Sequence, residues 1–480
     1  MIYKKAALAS IVILSMTMAF RAQNSDSAQL PDTIVGKRVA AYIKAFNSGD
    51  EQVMRQFFTD NVSAAALEER PVDMRIGVYK EMRGNMGQLH LRRVTEASES
   101  AVTARFQTTN GGWFEIGFTF EPQAPHRFLG LHVEDVEPPP NKVEDGASNA
   151  LTESQVLALI ETRLGELATA DEFSGAVWLA KGDKPILQKA YGLASREHNV
   201  PNRIDTRFNL GSINKSFTQV AVGQLVEQGK LSFDDKLGRY LSDYPNREAA
   251  EKVTIRQLLD MSSVIGDIFG PQFDSMSKSR LRAIKDFLPL FASQPLIFEP
   301  GSKHQYSNGG YIVLGAIIEK VTGQDYYEYV REHIFKPAGM QNAEWCEADK
   351  VTANLATGYT RAGDGARRNN IYSRPARGSS AGGGYATAED LLKYSVALQS
   401  GKLRLPNFRV PTGGEKPSSP DKKPGSFAGL GIAGGSPGVN AVLEANSASG
   451  YTVIVMSNYD PPSAETVAKQ IRGWLAKVKN

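Results

Sequence analysis

A run of prolines and small residues is the feature that most constrains the fold, because it divides the chain into two parts. Residues 136–152, VEPPPNKVEDGASNALT, include three consecutive prolines and few large apolar side chains, which is typical of an interdomain linker. The chain has 480 residues, and the segments before and after this linker are each long enough to form a separate hydrophobic core. We therefore predict one domain at 32–138, a linker at 139–152 and a second domain at 153–480.

The N-terminal sequence MIYKKAALASIVILSMTMAFRAQ has the pattern of a secretory leader. Two lysines precede an apolar run from Ala6 to Phe20, which is shorter than the ~20 residues that cross a bilayer. Phe20 stands where a small residue is preferred before the cleavage point. We predict a removable signal peptide at 1–22, export to the periplasm or the extracellular space, and no stable membrane anchor after its removal.

Charge and composition exclude several kinds of partner. With 55 basic and 52 acidic residues and no run of five like charges, neither nucleic acid nor an anionic membrane is indicated, and a small-molecule or peptide substrate is expected. The six histidines show no metal-ligand spacing and no phosphate loop is present, so no metal or organic cofactor is predicted. His304 is interpreted as a surface residue rather than a second proton shuttle, and the single Cys346 as a small buried residue.

The first domain changes its hydrophobic period from helical to strand-like at Leu89. The helical pattern before that point, interrupted at Ser48-Gly49, predicts a first helix and two more at 50–58 and 76–86. Four segments with period two follow, so a small α+β domain is predicted. Its order and length resemble the nuclear-transport-factor-2-like (SnoaL-like) family of cone-shaped domains. The resemblance implies either a ligand pocket or a passive, dimerising accessory domain.

The second domain has strand signals at both of its ends. A helix at 153–168 precedes two strand-like segments joined by Gly182-Asp183, and AVLEANSASGYTVIVMSNY near the C-terminus reads as another hairpin before a closing helix. Helical segments lie between the two strand pairs. We therefore predict one antiparallel sheet assembled from distant parts of the chain and covered by helices.

Three Ser-x-x-Lys sequences occur, and one of them stands in a context that suits chemistry. Ser275–Lys278 lies in a polar segment and Ser419–Lys422 in a Pro/Lys-rich loop, whereas Ser212 and Lys215 precede apolar residues at helical spacing. They would share a helix face, with Ser212 at the positive end of the helix dipole. Lys215 can act as a base only if its pKa falls from ~10.4 towards ~7, a change of about 4.6 kcal/mol in the free energy of protonation. The alternative is a serine helix cap beside a solvated lysine.

Further stretches carry a second resemblance. TRFNLGSINKSFT, EPGSKHQYSNGGYIVLGAIIEKVTG, AGGGYATAEDLLKY and GLGIAGGSPGVNAVLEA follow the order of motifs in the serine β-lactamase-like family, which includes class C β-lactamases, D-alanyl-D-alanine peptidases and related esterases. This resemblance covers residues 154–479. It implies an antiparallel sheet flanked by helices, with a helical subdomain. Taken with the first resemblance, the prediction is a multi-domain α+β chain in which this β-lactamase-like fold follows the small cone-like domain.

The resemblance also implies roles for individual residues. Ser212 would be the acylated nucleophile, Lys215 its base partner and Tyr306 the phenol that passes protons to the leaving group. Tyr306 is expected to ionise partly beside a lysine cation, and Asn308 to hold the substrate amide through its donor and acceptor.

The third motif of the family is altered in this chain. By the resemblance, Gly434 and Gly435 contact substrate, and the backbone N–H groups of Ser212 and Gly435 form the oxyanion hole. The family usually has Lys-Thr-Gly or His-x-Gly where Ile432–Gly434 stands, and isoleucine cannot donate a hydrogen bond. We therefore expect acyl transfer to be kept and β-lactam recognition to be weak. The MSSV sequence at 261–264 also departs from the usual His-Thr-Ser-Gly turn.

Together these patterns predict an exported serine hydrolase that cleaves an ester or amide, for instance in a D-amino-acid peptide, through an acyl-enzyme on Ser212. One alternative is a non-catalytic binding protein on a degenerate β-lactamase-like fold, and another is that the first domain binds the relevant ligand. The Gly-x-Ser-x-Gly sequence at 378–382 follows a polar segment rather than a buried strand, which disfavours a nucleophile elbow. The loop at 407–425 is expected to influence substrate choice.

Overall fold

The architecture is described from a computed structural model, which covers residues 29–109, 112–136, 150–263, 265–361, 365–408 and 429–478. The chain separates into two compact units, Met1–Gly146 and Ala147–Asn480, and the division falls inside the linker predicted above. The predicted signal peptide and most of the loop at 407–425 lie outside the described residues. Within the described ranges, no helix is long and apolar enough to cross a membrane.

The first unit places four helices before a four-stranded antiparallel sheet with strand order β1-β2-β3-β4. Its elements are α1 (Ile34–Ser48), α2 (Glu51–Asn61), α3 (Ala64–Glu69), α4 (Val72–Met86), β1 (Leu89–Ala97), β2 (Ala101–Thr108), β3 (Trp113–Phe120) and β4 (Phe128–Asp135). The helix break lies where the sequence predicts it: Gly49 ends α1 with a φ of 73°, and the Asp50 carboxylate accepts the N–H of Gln52 at the start of α2.

Aromatic rings fill the core of the first unit. The ring of Tyr42 on α1 lies 5.3 Å from that of Phe118, 5.6 Å from that of Phe57 and 5.9 Å from that of Phe128. All four side chains are buried. Helices and sheet thus share one apolar interior, as expected for an α+β unit.

The second unit combines a five-stranded sheet with helices on both faces. Its helices are α5 (Glu153–Thr169), α6 (Asn214–Glu227), α7 (Arg247–Lys252), α8 (Ile255–Leu259), α9 (Pro271–Ser275), α10 (Ile284–Phe287), α11 (Asn308–Thr322), α12 (Tyr326–Val330), α13 (Lys336–Ala338), α14 (Ala388–Gln399) and α15 (Ser463–Leu475). Its strands are β5 (Gly175–Lys181), β6 (Lys184–Tyr191), β7 (Leu193–Ser195), β8 (Val200–Pro201), β9 (Phe208–Asn209), β10 (Tyr359–Arg361), β11 (Arg367–Asn369), β12 (Tyr385–Ala386), β13 (Gly429–Ser436), β14 (Val439–Asn446) and β15 (Tyr451–Ser457).

The main sheet has the order β13-β14-β15-β5-β6, and all of its pairs are antiparallel. Strand β5 therefore pairs with β15 from the far end of the unit, which confirms the predicted sheet. Gly182 makes the turn between β5 and β6 with a φ of 62°. Side chains of β5 alternate between two cores: Ala176 and Trp178 pack with α6 and α11, while Val177 and Leu179 pack with α5 and α15.

Candidate active site

Ser212 lies in a tight turn between β9 and α6. Residues Gly211–Ile213 form one turn of 3-10 helix, so the serine comes just before α6 rather than on its first turn. The Ser212 hydroxyl oxygen lies 2.5 Å from the Tyr306 hydroxyl oxygen and 3.1 Å from Lys215 Nζ. Because Ser212 is partly exposed and its hydroxyl faces these groups, the helix-cap alternative does not describe it.

Lys215 is a buried lysine on α6, with 5% of its surface exposed. Besides Ser212, its Nζ lies 2.8 Å from Asn308 Oδ1 and 2.7 Å from the Ala381 carbonyl oxygen. Burial lowers the pKa of Lys215 to about 7, although the negative charge of Asp267 acts in the opposite direction. At neutral pH a substantial fraction of Lys215 is therefore an uncharged amine that can accept a proton.

Tyr306 is held next to Ser212 by the N-terminus of α11. The Ser307 hydroxyl caps this helix by accepting a backbone N–H of its first turn, at 3.0 Å. Tyr306 itself is 53% exposed, and the centroid of its ring lies 4.8 Å from Lys215 Nζ. Partial burial raises the pKa of Tyr306, and the hydrogen bond with Ser212 offsets only part of that effect. The expectation of a partly ionised Tyr306 is therefore wrong: at neutral pH it is a phenol.

Asn308 is held at both ends of its side-chain amide. Its Oδ1 faces Lys215, while its Nδ2 lies 3.1 and 3.0 Å from the two carboxylate oxygens of Asp267. The backbone N–H of Asn308 donates to the same carboxylate at 2.8 Å. Asp267 and the Ala381 carbonyl are members of this cluster that the sequence analysis missed.

The edge strand β13 lies directly against the nucleophile turn. A Cβ atom on Gly434 would be 2.1 Å from the Leu210 carbonyl oxygen and 2.6 Å from Ser212 N. A Cβ atom on Gly211, whose φ is 49°, would be 2.8 Å from Gly435 N. Only glycine permits this approach of two backbones. The structure therefore brings Gly434 and Gly435 beside the Ser212 amide.

Ile432 lies on the same face of β13 as Gly434, because side chains alternate along a strand. It is partly buried and packs against the core that contains α6 and α11. On the face of β13 that meets the nucleophile turn, the first position of the family's third motif is therefore occupied by an apolar side chain, that of Ile432.

The other sequence candidates lie in different surroundings. Ser379 and Ser380 of the Gly-x-Ser-x-Gly sequence are buried, and the Ser380 hydroxyl donates to the Tyr311 carbonyl at 2.8 Å. This loop presents the Ala381 carbonyl to the lysine instead of exposing a nucleophile. His304 is exposed, and its Nδ1 lies 3.0 Å from a backbone carbonyl oxygen.

A serine hydroxyl between a buried amine of depressed pKa and a neutral phenol is the arrangement of a serine hydrolase that uses a lysine base. Comparison with known families agrees: the chain belongs to the Beta-lactamase family, which it matches over residues 160–476. The match lies within the second unit and confirms both the β-lactamase-like fold and the predicted family.

The chain is similar to individual penicillin-binding proteins and to an esterase. The putative penicillin-binding protein PbpX of Bacillus subtilis (strain 168) is 30% identical over 301 residues, 59% of this chain and 70% of that protein. Esterase EstB of Burkholderia gladioli is 32% identical over 218 residues, 43% of this chain and 55% of the esterase. The crystal structure of a penicillin binding protein from Bacillus halodurans is 33% identical with a TM-score of 0.57, and covers 65% of this chain and 98% of that chain. The chain spans only 40% of the length of another curated relative, penicillin-binding protein 4* of Bacillus subtilis (strain 168).

Proposed function

We propose that the chain is an exported serine hydrolase that cleaves an ester or an amide through an acyl-enzyme on Ser212. The observation that carries the proposal is the position of the Ser212 hydroxyl, 2.5 Å from the Tyr306 hydroxyl and 3.1 Å from the buried Lys215 Nζ. A serine needs a nearby base to become a nucleophile at neutral pH, and a lysine with a pKa of about 7 meets that need.

Acylation starts with proton transfer from Ser212 to the uncharged Lys215. Ser212 Oγ forms a bond to the substrate carbonyl carbon, and the carbonyl electron pair moves onto its oxygen. The backbone N–H groups of Ser212 and Gly435 are proposed to stabilise that oxyanion, because the glycines let strand β13 approach the nucleophile turn and so bring these two backbone groups near each other. Tyr306 then donates its proton to the leaving oxygen or nitrogen as that bond breaks, and Lys215 returns a proton to Tyr306.

Deacylation reverses the proton path with water in place of the leaving group. Water adds to the acyl carbonyl carbon while Tyr306 takes the water proton and passes its own towards Lys215. Collapse of the intermediate then breaks the bond to Ser212 Oγ, which regains its proton. Tyr306 suits this role because it is half exposed and lies against Ser212.

An ester without a carboxylate beside the scissile bond is the favoured substrate class. Ile432 offers no positive charge on the strand face next to Ser212, and a relative is named as an esterase. Amides of D-amino-acid peptides are proposed as the second class, because the family that the chain resembles includes D-alanyl-D-alanine peptidases. We expect Ile432→Lys to raise kcat/KM for a carboxylate-bearing substrate relative to its neutral ester, measured in one competition assay. An unchanged ratio would contradict the specificity argument but not the acyl-enzyme.

Pre-steady-state hydrolysis of a p-nitrophenyl ester tests the proposed chemistry. Wild-type protein is expected to give a burst of p-nitrophenol close to one equivalent, and Ser212→Ala none. Intact mass of the quenched wild type should show the acyl group. No turnover of several esters and no adduct with a fluorophosphonate would refute the proposal and favour the non-catalytic binding protein.

Export and the role of the first unit form separate parts of the proposal. Export rests on the leader-like residues 1–22, and the N-terminus of the mature protein in a fractionated host tests it by mass spectrometry. The first unit is proposed to be a SnoaL-like accessory domain, because four helices precede its four-stranded sheet and aromatic rings fill its core. A ligand that raises the melting temperature of the first unit alone, within the full chain, would instead support a binding role for that unit.

A further inference from the structure

We propose that Asp267 is a positioning residue: by holding the side-chain amide of Asn308 it directs the lone pair of Lys215 at Ser212. The inference rests on the function proposed above and extends it to a residue that acts through two others. The contacts form a continuous path from the carboxylate to Asn308, then to Lys215 and finally to Ser212.

The first step of the argument concerns the hydrogens of Lys215. An uncharged amine has two hydrogens and one lone pair. Two of its three neighbours, Asn308 Oδ1 at 2.8 Å and the Ala381 carbonyl oxygen at 2.7 Å, can only accept hydrogen bonds. If both hydrogens are donated to these oxygens, the lone pair is left for the third neighbour, Ser212 Oγ at 3.1 Å. This is the orientation in which Lys215 can take the serine proton.

The second step concerns the two possible orientations of the Asn308 amide. In the opposite orientation its NH₂ group would face Lys215, and the amine lone pair would accept that N–H instead of the Ser212 proton. Asp267 prevents this because a carboxylate only accepts hydrogen bonds, and both of its oxygens lie within 3.1 Å of Nδ2. A reversed amide would place Oδ1 against the carboxylate. Asp267 therefore selects the orientation that Lys215 requires.

Asp267 also affects the base through its charge. The titratable side chains that face Lys215 are Tyr306 and Tyr311, whose ring centroids lie 4.8 and 5.6 Å from Nζ, and Asp267. The pKa values of both tyrosines are raised, so at neutral pH these two are uncharged. The carboxylate of Asp267 favours protonated Lys215, and its removal lowers the lysine pKa further.

Asp267→Asn tests the proposal with little change in shape. We expect kcat for the p-nitrophenyl ester to fall about 10- to 100-fold, which is the rate loss expected when a charge-assisted hydrogen bond is removed. KM should be nearly unchanged. The acid limb of the kcat/KM profile should move to lower pH, a shift that a purely structural role would not produce. Asp260→Asn is the matched control, because that carboxylate accepts the Ser262 N–H at 3.0 Å in the same segment without contacting Asn308.

A double-mutant comparison separates positioning from loss of structure. With Asn308→Ala no amide remains to be oriented, so adding Asp267→Asn should leave kcat almost unchanged. Circular dichroism melting identifies any variant that is unfolded, and Asp267→Ala provides a second substitution. This inference is refuted if Asp267→Asn leaves the acid limb of the kcat/KM profile in place and if the effects of Asp267→Asn and Asn308→Ala on kcat are independent. The proposed function still stands in that case, provided that the wild type reacts with a fluorophosphonate. An unreactive wild type would overturn both.

Discussion

Replacing Lys215 by methionine tests whether the buried lysine is uncharged in the folded protein. Methionine keeps the length and apolar stem of the side chain and removes its titration. The folded-state pKa of Lys215 is about 7, against an ordinary value of 10.5. Between these two values the unfolded chain binds one more proton than the folded chain. The free energy of unfolding of the wild type must therefore rise with pH in this window, relative to the variant.

The size of the effect follows from the two pKa values. Each pH unit inside the window adds about 1.4 kcal/mol to the unfolding free energy. From pH 8 to pH 10 the wild type should gain roughly 2.5 kcal/mol over Lys215→Met, because the unfolded lysine begins to lose its proton near the upper end. The stabilisation is complete above pH 10.5 and lost as the pH falls through about 7. In Lys215→Met the Asn308 and Ala381 oxygens lose their hydrogen-bond donor. This lowers the unfolding free energy of the variant by an amount that does not depend on pH.

Urea unfolding at pH 8, 9 and 10 and constant ionic strength measures this difference. Trp178 and Trp345 are buried in the second unit, so tryptophan fluorescence reports its unfolding. Other groups that titrate in this range are common to both proteins and cancel. Lys230→Met, at an exposed position of the same unit, is the control for replacing a lysine by methionine. A constant difference between wild type and Lys215→Met would mean that the lysine stays protonated, and the base assignment would fail.

Three further substitutions address the proton donor Tyr306, the edge strand β13 and the contact between α6 and the loop at 378–384. Tyr306→Phe should lower kcat about 100- to 10,000-fold while Ser212 still reacts with a fluorophosphonate, because Lys215 is retained; loss of labelling would argue against this division of roles. Gly434→Ala should abolish turnover, since its Cβ would meet backbone atoms 2.1 Å away, whereas Gly431→Ala on the same strand has open space and should be active. Thr218→Val removes two buried hydrogen bonds, at 2.7 and 2.8 Å, and should destabilise the second unit by about 1 to 3 kcal/mol in urea unfolding.

The fold could be predicted where sequence signals are local and long. The hairpin around Gly182 and the 17-residue α5 carry clear period-two and helical patterns, and both are present. Helices such as α3, α8 and α10, with six, five and four residues, are too short to show a helical period. Their boundaries depend on capping and on packing against the rest of the unit, which periodicity does not report.

The candidate site could be predicted only where the chemistry resides in recognisable side chains. Ser212 and Lys215 are close in sequence, and Tyr306 and Asn308 stand in a motif that is readable at the start of α11. The contact between Asp267 and Asn308 joins residues 41 positions apart and involves a single aspartate in a loop. The Ala381 carbonyl, 166 positions from Lys215, belongs to the backbone and leaves no side-chain signal. Neither could be found by spacing alone.

The base and the substrate contacts depend on different parts of the second unit. The pKa of Lys215 is lowered by its burial and raised by the negative charge of Asp267. Its Nζ contacts two oxygens, from the first residue of α11 and from the loop at 378–384. Ile432 supplies neither of these oxygens and no charge, and it lies on the edge strand β13. A change at the third motif can therefore alter which substrate is held without altering how Ser212 is activated. For that reason the apolar side chain at 432 bears on specificity, and the buried cluster around Lys215 decides whether the chain is a catalyst.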